Sequence, residues 1–304
     1  MSAAAAQHGL GSRDLTLALV VCLAWAGSFL FAAFALRELP PLLFATLRLA
    51  LLVVVVSPWI RPPAPGQWRA LLALGVFNGA LNFGLSMASL KLSAGLSAPV
   101  IAQQCYVPMA ALLAWAILGE RFGWRTGAGI ALSFAGVLVL GFDPTVLQAP
   151  LALLLMLGSA FTIALGTIAM RRLHGVGALS AQGWTALIGV LPLLFASLAF
   201  EPDGAAALRA ASAVAWGGVA YSALVSSLFG YGLYYVLVQR HPVAQVTPYM
   251  LLSPVMAVLL GIVFWGDRPG PALWIGGAMV LGGVLVVALR ASLRRRPMPP
   301  PEPV

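Results

Sequence analysis

The sequence predicts an all-α integral membrane protein, in which ten transmembrane helices form two inverted five-helix repeats around a central cavity. Three observations predict this fold: an apolar composition, ten long apolar runs, and a stretch that occurs twice. Of the 304 residues, 61% are hydrophobic and only 8% are charged, whereas soluble domains average about 45–50% apolar and about 25% charged residues. Most of this chain is therefore expected to face a bilayer.

Each of the ten apolar runs is long enough to cross the hydrocarbon core as a helix, which takes about 17–25 residues. A helix satisfies its backbone hydrogen bonds internally, as the membrane interior requires. We predict spans at 15–36, 40–58, 67–90, 94–118, 125–142, 150–170, 178–199, 212–238, 243–265 and 271–290. The first run is longer than the apolar core of a usual signal peptide, so we expect it to remain as the first helix.

The basic residues predict the orientation, because positively charged loops tend to stay in the cytoplasm. A cytoplasmic N terminus puts twelve basic residues on the cytoplasmic side, and only four on the other side. The twelve are Arg13, Arg61, Arg69, Arg121, Arg125, Arg171, Arg172, Arg240, Arg290, Arg294, Arg295 and Arg296, and the four are Arg37, Lys91, Arg209 and Arg268. We therefore predict a bacterial-type inner membrane protein with both termini cytoplasmic, whose net charge of +9 reflects topology rather than nucleic-acid binding.

The repeated stretch predicts how the ten spans are organised. Residues 118–140 read LGERFGWRTGAGIALSFAGVLVL, and 147 positions later the chain reads WGDRPGPALWIGGAMVLGGVLVV. We predict two five-span domains, 1–145 and 146–290, and a basic, proline-rich cytoplasmic tail at 291–304. Because each half has an odd number of crossings, the second half enters the membrane from the opposite face. Such inverted halves can exchange conformations and expose a central site to each face in turn; alternatively, the duplication only builds a stable, closely packed bundle.

Short motifs give the chain a resemblance to a known family. Trp25-Ala-Gly-Ser28 in the first span, Arg48 in the second and Gly119-Glu120-Arg121 at the end of the fourth, in a duplicated ten-span layout, resemble the EamA branch of the drug/metabolite transporter superfamily. Within that branch the chain is most similar to bacterial exporters of aromatic and neutral amino acids. The resemblance implies a basket-like fold, with a cavity lined by spans one, three, four, six, eight and nine, and the other four spans at the periphery.

Polar and aromatic residues at membrane depth are the candidate substrate ligands. Asn78, Asn82 and Ser86 recur every four positions and share one face of the third span, and polar side chains at this depth favour the bundle interior or an aqueous cavity. The predicted substrate-binding residues are Trp25, Asn78, Asn82, Ser86, Gln103, Gln104, Phe161, Ser226, Tyr231 and Tyr234. The alternative is that the polar residues join neighbouring helices by hydrogen bonds, and that Trp25 packs in the core.

The charged residues narrow the substrate class. All acidic residues and histidines fall in loops or at span ends, whereas a proton-coupled drug/metabolite antiporter, the alternative function, usually needs a titratable group within the membrane. Arg48 lies inside the second span, at a depth from which its side chain can approach an interface; we favour a structural role for it over a clamp for a substrate carboxylate. Amides and hydroxyls suit neutral or zwitterionic molecules such as amino acids, moved by a facilitator.

Prolines predict where such a bundle moves. Pro108 of the fourth span and Pro254 of the ninth fall one position apart in the repeat, and proline removes a helical hydrogen bond. We predict hinges at both residues; static kinks are the alternative.

An intramembrane enzyme is a further alternative, but no nucleophile has a candidate base at membrane depth, and no metal-ligand cluster occurs. We therefore predict that the protein is not an enzyme and needs no cofactor or metal. We expect a monomer whose partners are a small-molecule substrate and the lipid bilayer, without nucleic acid.

Overall fold

The structure is a computed structural model that describes residues 11–241 and 243–293. In these residues it is helical, without strands, and ten helices are long and apolar enough to span a membrane. They are α1 (Ser12–Leu36), α2 (Pro41–Trp59), α3 (Trp68–Leu92), α4 (Ser97–Leu118), α5 (Trp124–Gly141), α6 (Pro150–Met170), α7 (Ala178–Phe200), α8 (Ala213–Arg240), α9 (Pro248–Trp265) and α10 (Pro271–Arg290). The predicted ten-helix membrane fold is confirmed, while residues 294–304 of the predicted tail lie outside the described residues.

The helix ends in both halves follow from local chemistry. Pro41 and Pro150 occupy the first turns of α2 and α6, where the fixed φ of proline suits a helix start and its missing N–H is not needed. Gly119 and Gly266 end α4 and α9 with φ of 70° and 82°, a left-handed conformation that glycine adopts without a steric penalty. The repeated stretch therefore begins with the same turn in both copies.

Irregular turns also occur at matching positions in the two halves. α3 contains a π-helical segment at Gly75–Leu81, and α8 contains one at Tyr221–Gly230, which overlaps the first when shifted by the 148-residue offset between Trp68 and Trp216. α4 is interrupted between Gln103 and Tyr106. The helix Val243–Met250 includes the first three residues of α9, and a break at Leu251 separates it from the rest of α9.

The helix contacts repeat in the same way. α1 packs against α8 and α9, and its counterpart α6 packs against α3 and α4. α2 pairs with α7, and α5 pairs with α10. These contacts put α1, α3, α4, α6, α8 and α9 in the middle of the bundle, with one outer pair on each flank, as the family resemblance implies.

The crossing of α5 and α10 locates a two-fold axis between the halves. Ser133 Oγ donates a hydrogen bond to the carbonyl of Val280 at 3.3 Å, and these residues correspond to each other at the 147-residue offset. A Cβ added at Gly136 would lie 2.7 Å from the carbonyl oxygen of Gly276. The corresponding pair, Gly129 and Gly283, is also in backbone contact. Residues touch their own counterparts only near such an axis, so the crossing has the geometry of an inverted repeat.

Polar contacts join the flanking pair α2 and α7 at both membrane faces. We call the face at which α1 begins the N-terminal face, and the other the opposite face. At the opposite face, the Glu201 carboxylate accepts hydrogen bonds from the N–H groups of Leu42 and Leu43, at 2.7 and 2.9 Å. At the N-terminal face, the carbonyl of Arg61 accepts a hydrogen bond from Trp184 Nε1 at 2.8 Å. This pair is therefore fixed at both ends, and its helices form a frame for the inner ones.

Candidate functional site

An aromatic cluster forms where α1, α4 and α8 meet. The ring centroid of Trp25 lies 5.0 Å from that of Tyr231 and 5.5 Å from that of Tyr234, and the rings are tilted by 51° in both pairs. Tyr106 of α4 lies within electrostatic range of both tyrosines. We call these four residues the aromatic cluster; it unites three of the predicted substrate-binding residues.

The irregular backbone of α8 makes room for the Trp25 indole. Gly230 ends the π-helical segment, and a Cβ at this position would lie 2.9 Å from Trp25 Nε1. Only a glycine therefore lets the indole lie against α8 in this way. Trp25 Nε1 is buried without a hydrogen-bond partner among the described groups. Because a buried donor without a partner costs free energy, this N–H is available for a bound molecule.

The exposure of Tyr231 indicates an open space beside the aromatic cluster. Its side chain is 48% exposed, although it contacts Trp25 of α1 and lies within electrostatic range of Arg48 of α2 and Tyr106 of α4. A side chain that interacts with three other helices faces the bundle interior. We therefore interpret the exposed part of Tyr231 as facing an internal space rather than lipid.

Arg48 is directed into the bundle instead of towards an interface. It is 6% exposed, and its Nη2 donates a hydrogen bond to Ser227 Oγ of α8 at 3.1 Å. Its guanidinium carbon lies 4.4 Å from the ring centroid of Phe83 in α3. Nε of Arg48 is buried without a partner among the described groups. The interior of the bundle therefore contains a positive charge, although Arg48 belongs to an outer helix.

The polar stripe of α3 faces α6. Asn82 Oδ1 accepts a hydrogen bond from Ser159 Oγ at 2.7 Å, and a Cβ on Gly166 would nearly coincide with Asn78 Oδ1. Ser86 is buried and donates a hydrogen bond to the carbonyl of Phe83 at 3.3 Å. The predicted residues Asn78 and Asn82 therefore lie in helix–helix contacts of the kind that the alternative interpretation describes, whereas the hydrogen bond of Ser86 lies within α3.

The break in α4 contains two further predicted residues. Gln103 and Gln104 are both half-buried. Pro108 has no N–H to donate to the carbonyl of Gln104, which accepts from the N–H of Val107 at 3.1 Å instead. In α9, the interruption at Leu251 lies three residues before Pro254. The two helices are irregular near the predicted hinges, while movement at these hinges stays a prediction.

The remaining predicted residues lie on two different helices. Phe161 of α6 is 45% exposed, whereas Ser226 of α8 is buried within the π-helical segment. Of the predicted site residues, Trp25, Tyr231 and Tyr234 lie in the aromatic cluster, and Asn78 and Asn82 lie along the contact between α3 and α6.

At the opposite face, a carboxylate cap joins two helix ends. Asp267, which follows α9, accepts hydrogen bonds from the N–H groups of Leu96 and Ser97 at 2.9 and 2.8 Å, and from Ser97 Oγ at 2.6 Å. The corresponding residue at the N-terminal face, Glu120, forms an exposed ion pair with Arg171. The cap thus fixes the end of α9 to the start of α4. A cavity of about 200 Å³ beside it is lined by residues of loops and helix ends, and none of them belongs to the aromatic cluster.

Buried charge is rare in the described part of the chain, where only Arg48 and Asp143 are both charged and buried. Asp143 Oδ1 accepts hydrogen bonds from the N–H and the hydroxyl of Thr145, at 3.0 and 2.6 Å. This carboxylate follows α5 at the opposite face. The described residues contain no group of three or more His, Cys, Asp or Glu that could hold a metal ion.

A bundle of ten apolar helices with paired halves and a polar interior defines a membrane transporter. The sequence profile of the EamA-like transporter family matches this chain twice, at residues 13–142 and 150–289. The chain belongs to this family, and it is a transporter rather than an enzyme. It is a multi-pass membrane protein, as the ten apolar helices require.

Related proteins span nearly the whole chain. A protein of Escherichia coli named "probable amino-acid metabolite efflux pump" is 29% identical, over 91% of this chain and 95% of its own. A protein of the same name from Salmonella typhimurium is 29% identical, over 94% and 98% of the two chains. A solved crystal structure with 20% sequence identity superposes with a TM-score of 0.61, covering 94% of this chain and all of its own. That structural likeness supports the fold alone.

Sequence reasoning missed the inward direction of Arg48 and its contact with Ser227. A mid-span arginine is itself the signal that could have indicated a site, because charged side chains within a membrane usually face the bundle interior. The contact with Ser227 was not predictable, because a π-helical segment rotates the residues that follow it relative to a regular helix.

Proposed function

We propose that the protein exports aromatic or neutral amino acids, or similar small neutral or zwitterionic metabolites, by alternating access. The observation that carries the proposal is the aromatic cluster, where Trp25, Tyr231 and Tyr234 meet beside an internal space. Aromatic faces take up an apolar side chain, and tyrosine hydroxyls hydrogen-bond to polar groups of a small molecule. The names of the two enterobacterial relatives agree with this substrate class.

In the proposed mechanism, the halves 1–145 and 146–290 exchange conformations around the site. The two matches to the family profile and the paired helix contacts support this division. The cap of Asp267 on α4 breaks when the opposite face opens, and α4 and α9 bend at Pro108 and Pro254. Substrate moves down its own gradient, so the protein is a facilitator.

We further propose that the protein acts as a monomer in a bacterial-type inner membrane, with both termini in the cytoplasm. The distribution of basic residues supports this orientation. The name of another relative, "uncharacterized inner membrane transporter" of Escherichia coli, 24% identical over 87% of both chains, supports the choice of membrane.

The proton-coupled antiporter is the second candidate mechanism. Exchange of a proton for a cation needs a titratable group that both can reach from the cavity. In the described residues the buried carboxylate is that of Asp143, which lies beyond the end of α5 and not in the aromatic cluster. The facilitator is therefore the better supported mechanism.

Uptake by the purified protein in proteoliposomes tests both mechanisms. Labelled neutral amino acids, cationic solutes and phosphorylated solutes are each offered with and without a pH gradient, and protein-free liposomes are the control. We expect uptake of neutral amino acids in both conditions. Strict dependence on the pH gradient would replace the facilitator by the antiporter, and uptake of the other solutes without amino acids would overturn the substrate class.

A further inference from the structure

We propose that Arg48 binds the carboxylate of the transported molecule. The inference rests on the proposed function and narrows it, because it makes a carboxylate a required part of the substrate. The family resemblance and the helix contacts put α2 on the flank of the bundle, yet its arginine side chain reaches inward.

The first step of the argument is that the charge of Arg48 has no counter-charge in the protein. Arg48 is only 6% exposed, and no described carboxylate lies within ion-pair distance of its guanidinium group. Burial of an unpaired charge is costly. A hydroxyl of Ser227 and the ring of Phe83 solvate the guanidinium, but they do not neutralise it.

The second step is that the guanidinium still has hydrogen-bonding capacity. It carries five N–H donors in a planar fork, and the donor at Nε is buried and unpartnered. Such a fork matches the two oxygens of a carboxylate, and this match makes arginine suited to binding carboxylates. A carboxylate would supply the missing negative charge and the missing acceptor together.

The third step connects Arg48 to the internal space. Arg48 donates a hydrogen bond to Ser227, which lies four residues before Tyr231 in α8, and Tyr231 contacts Trp25. Trp25 adds a second buried N–H without a partner. One end of the aromatic cluster therefore presents positive charge, while its rings present apolar surface.

This polarity fits an amino acid in one orientation. The α-carboxylate lies at Arg48, the side chain lies against the aromatic cluster, and the ammonium group interacts with the negative faces of the rings by cation–π attraction. The carboxylate of a bound zwitterion pairs with Arg48, and the ammonium group at the ring faces carries the remaining positive charge of the site. The substrate thus completes an electrostatic pair that the empty protein lacks.

The first test uses the unaltered protein in proteoliposomes. Unlabelled competitors are compared for inhibition of labelled amino-acid uptake: the amino acid, its amide, and the amine that lacks the carboxylate. We expect the amide and the amine to need about tenfold to a hundredfold higher concentrations, as loss of a charge-assisted hydrogen bond predicts. Equal inhibition by all three would overturn the role of Arg48 while the proposed function stands.

The second test separates substrate binding from a structural role. Arg48→Met and Arg48→Gln are compared with Arg209→Gln, which removes an exposed arginine of the short helix Gly204–Ala210. We expect the Arg48 variants to unfold at the same or a higher temperature than the unaltered protein, because an unpaired buried charge is removed, and to lose the stabilisation by added amino acid. The Arg209 variant should still be stabilised by added amino acid. A lower unfolding temperature with retained stabilisation by substrate would make Arg48 structural and contradict the inference.

The proposed function and this inference can fail separately. If amino acids are neither moved nor bound, but another carboxylate stabilises the unaltered protein and not the Arg48 variants, the proposed substrate is wrong and the carboxylate site stands. If amino acids are moved with equal rates by the Arg48→Gln variant and the unaltered protein, the site is wrong and the function stands.

Discussion

Single residues differ between the halves at the positions where the candidate site forms. Asn82 of α3 corresponds to Gly230 of α8 at the 148-residue offset. Asn82 hydrogen-bonds to Ser159 and closes the contact with α6, whereas Gly230 leaves the space that the Trp25 indole occupies. One half therefore carries a packed polar contact, and the other carries an aromatic cluster beside an open space.

Trp25→Ala should weaken substrate binding. Loss of an aromatic contact costs about 0.5–1.5 kcal/mol beyond the area term, which corresponds to a KM for aromatic amino acids about twofold to tenfold higher. Initial rates of uptake into proteoliposomes measure this. The matched control is Trp124→Ala, since Trp124 is 78% exposed at the start of α5. An unchanged KM in the Trp25 variant would mean that this ring packs in the core without contacting substrate.

Glu38→Gln should change the acid stability. The Glu38 carboxylate accepts hydrogen bonds from the N–H and hydroxyl of Ser212, both at 2.7 Å, and these bonds lower the pKa of Glu38 below its ordinary value of 4.5. A carboxyl group whose pKa is lower in the folded than in the unfolded state stabilises the fold at a pH above its unfolded-state pKa. This stabilisation is lost as the pH falls through its folded-state pKa. We expect the variant to be less stable near neutral pH and to approach the unaltered protein in acid.

Thermal unfolding in detergent between about pH 6 and about pH 3 measures the difference between the two proteins. Asp203→Asn is the control, because Asp203 is an exposed carboxylate at the same membrane face, between α7 and α8, without a side-chain cap hydrogen bond. A difference that is independent of pH would show that the charge of Glu38 does not contribute.

At the scale of helices, the crossing of α5 and α10 depends on missing side chains. Gly276→Val should destabilise the protein by about 1–3 kcal/mol, as overpacking typically does, because an added Cβ would lie 2.6 Å from the carbonyl oxygen of Gly136. Gly282→Val, in the same helix, is the matched control, since a Cβ at Gly282 meets nothing within 4 Å. Equal unfolding temperatures for the two variants would rule out this close crossing.

The interrupted helices α4 and α9 are where bending is expected. Pro108→Ala and Pro254→Ala each restore a backbone donor and should stiffen these helices, which lowers the turnover number severalfold and changes KM little. Turnover in proteoliposomes is the measurement. Pro192→Ala is the control, because Pro192 lies inside α7 of the outer pair. Undiminished flux in both the Pro108 and the Pro254 variant would show that these kinks are static.

At the scale of the whole molecule, the sequence predicts the architecture better than the site. Ten apolar runs and one repeated stretch are sufficient for the helix number and the pairing of halves, because the bilayer sets the length of a span and five spans in each half give the two halves opposite orientations. The site depends on side-chain direction, which irregular turns alter. A regular helix places Asn78, Asn82 and Ser86 on one face, as predicted, but their contact with α6 depends on the packing of separate helices.

The inward direction of Arg48 is a similar case. The position of Arg48 along α2 can be predicted from the sequence. Whether its side chain turns to a membrane interface or to the bundle interior depends on which neighbouring residues interact with it. Here Ser227 and Phe83 provide it, and neither residue is near Arg48 in the sequence.

The central claim is that two inverted halves expose one internal site to each membrane face in turn. The most direct measurement is thiol labelling of Tyr231→Cys, after both natural cysteines, Cys22 and Cys105, are replaced by alanine. A membrane-impermeant reagent is applied to oriented vesicles from either side. The account predicts labelling from both faces, with a ratio that substrate changes; labelling from one face only, with and without substrate, would contradict it.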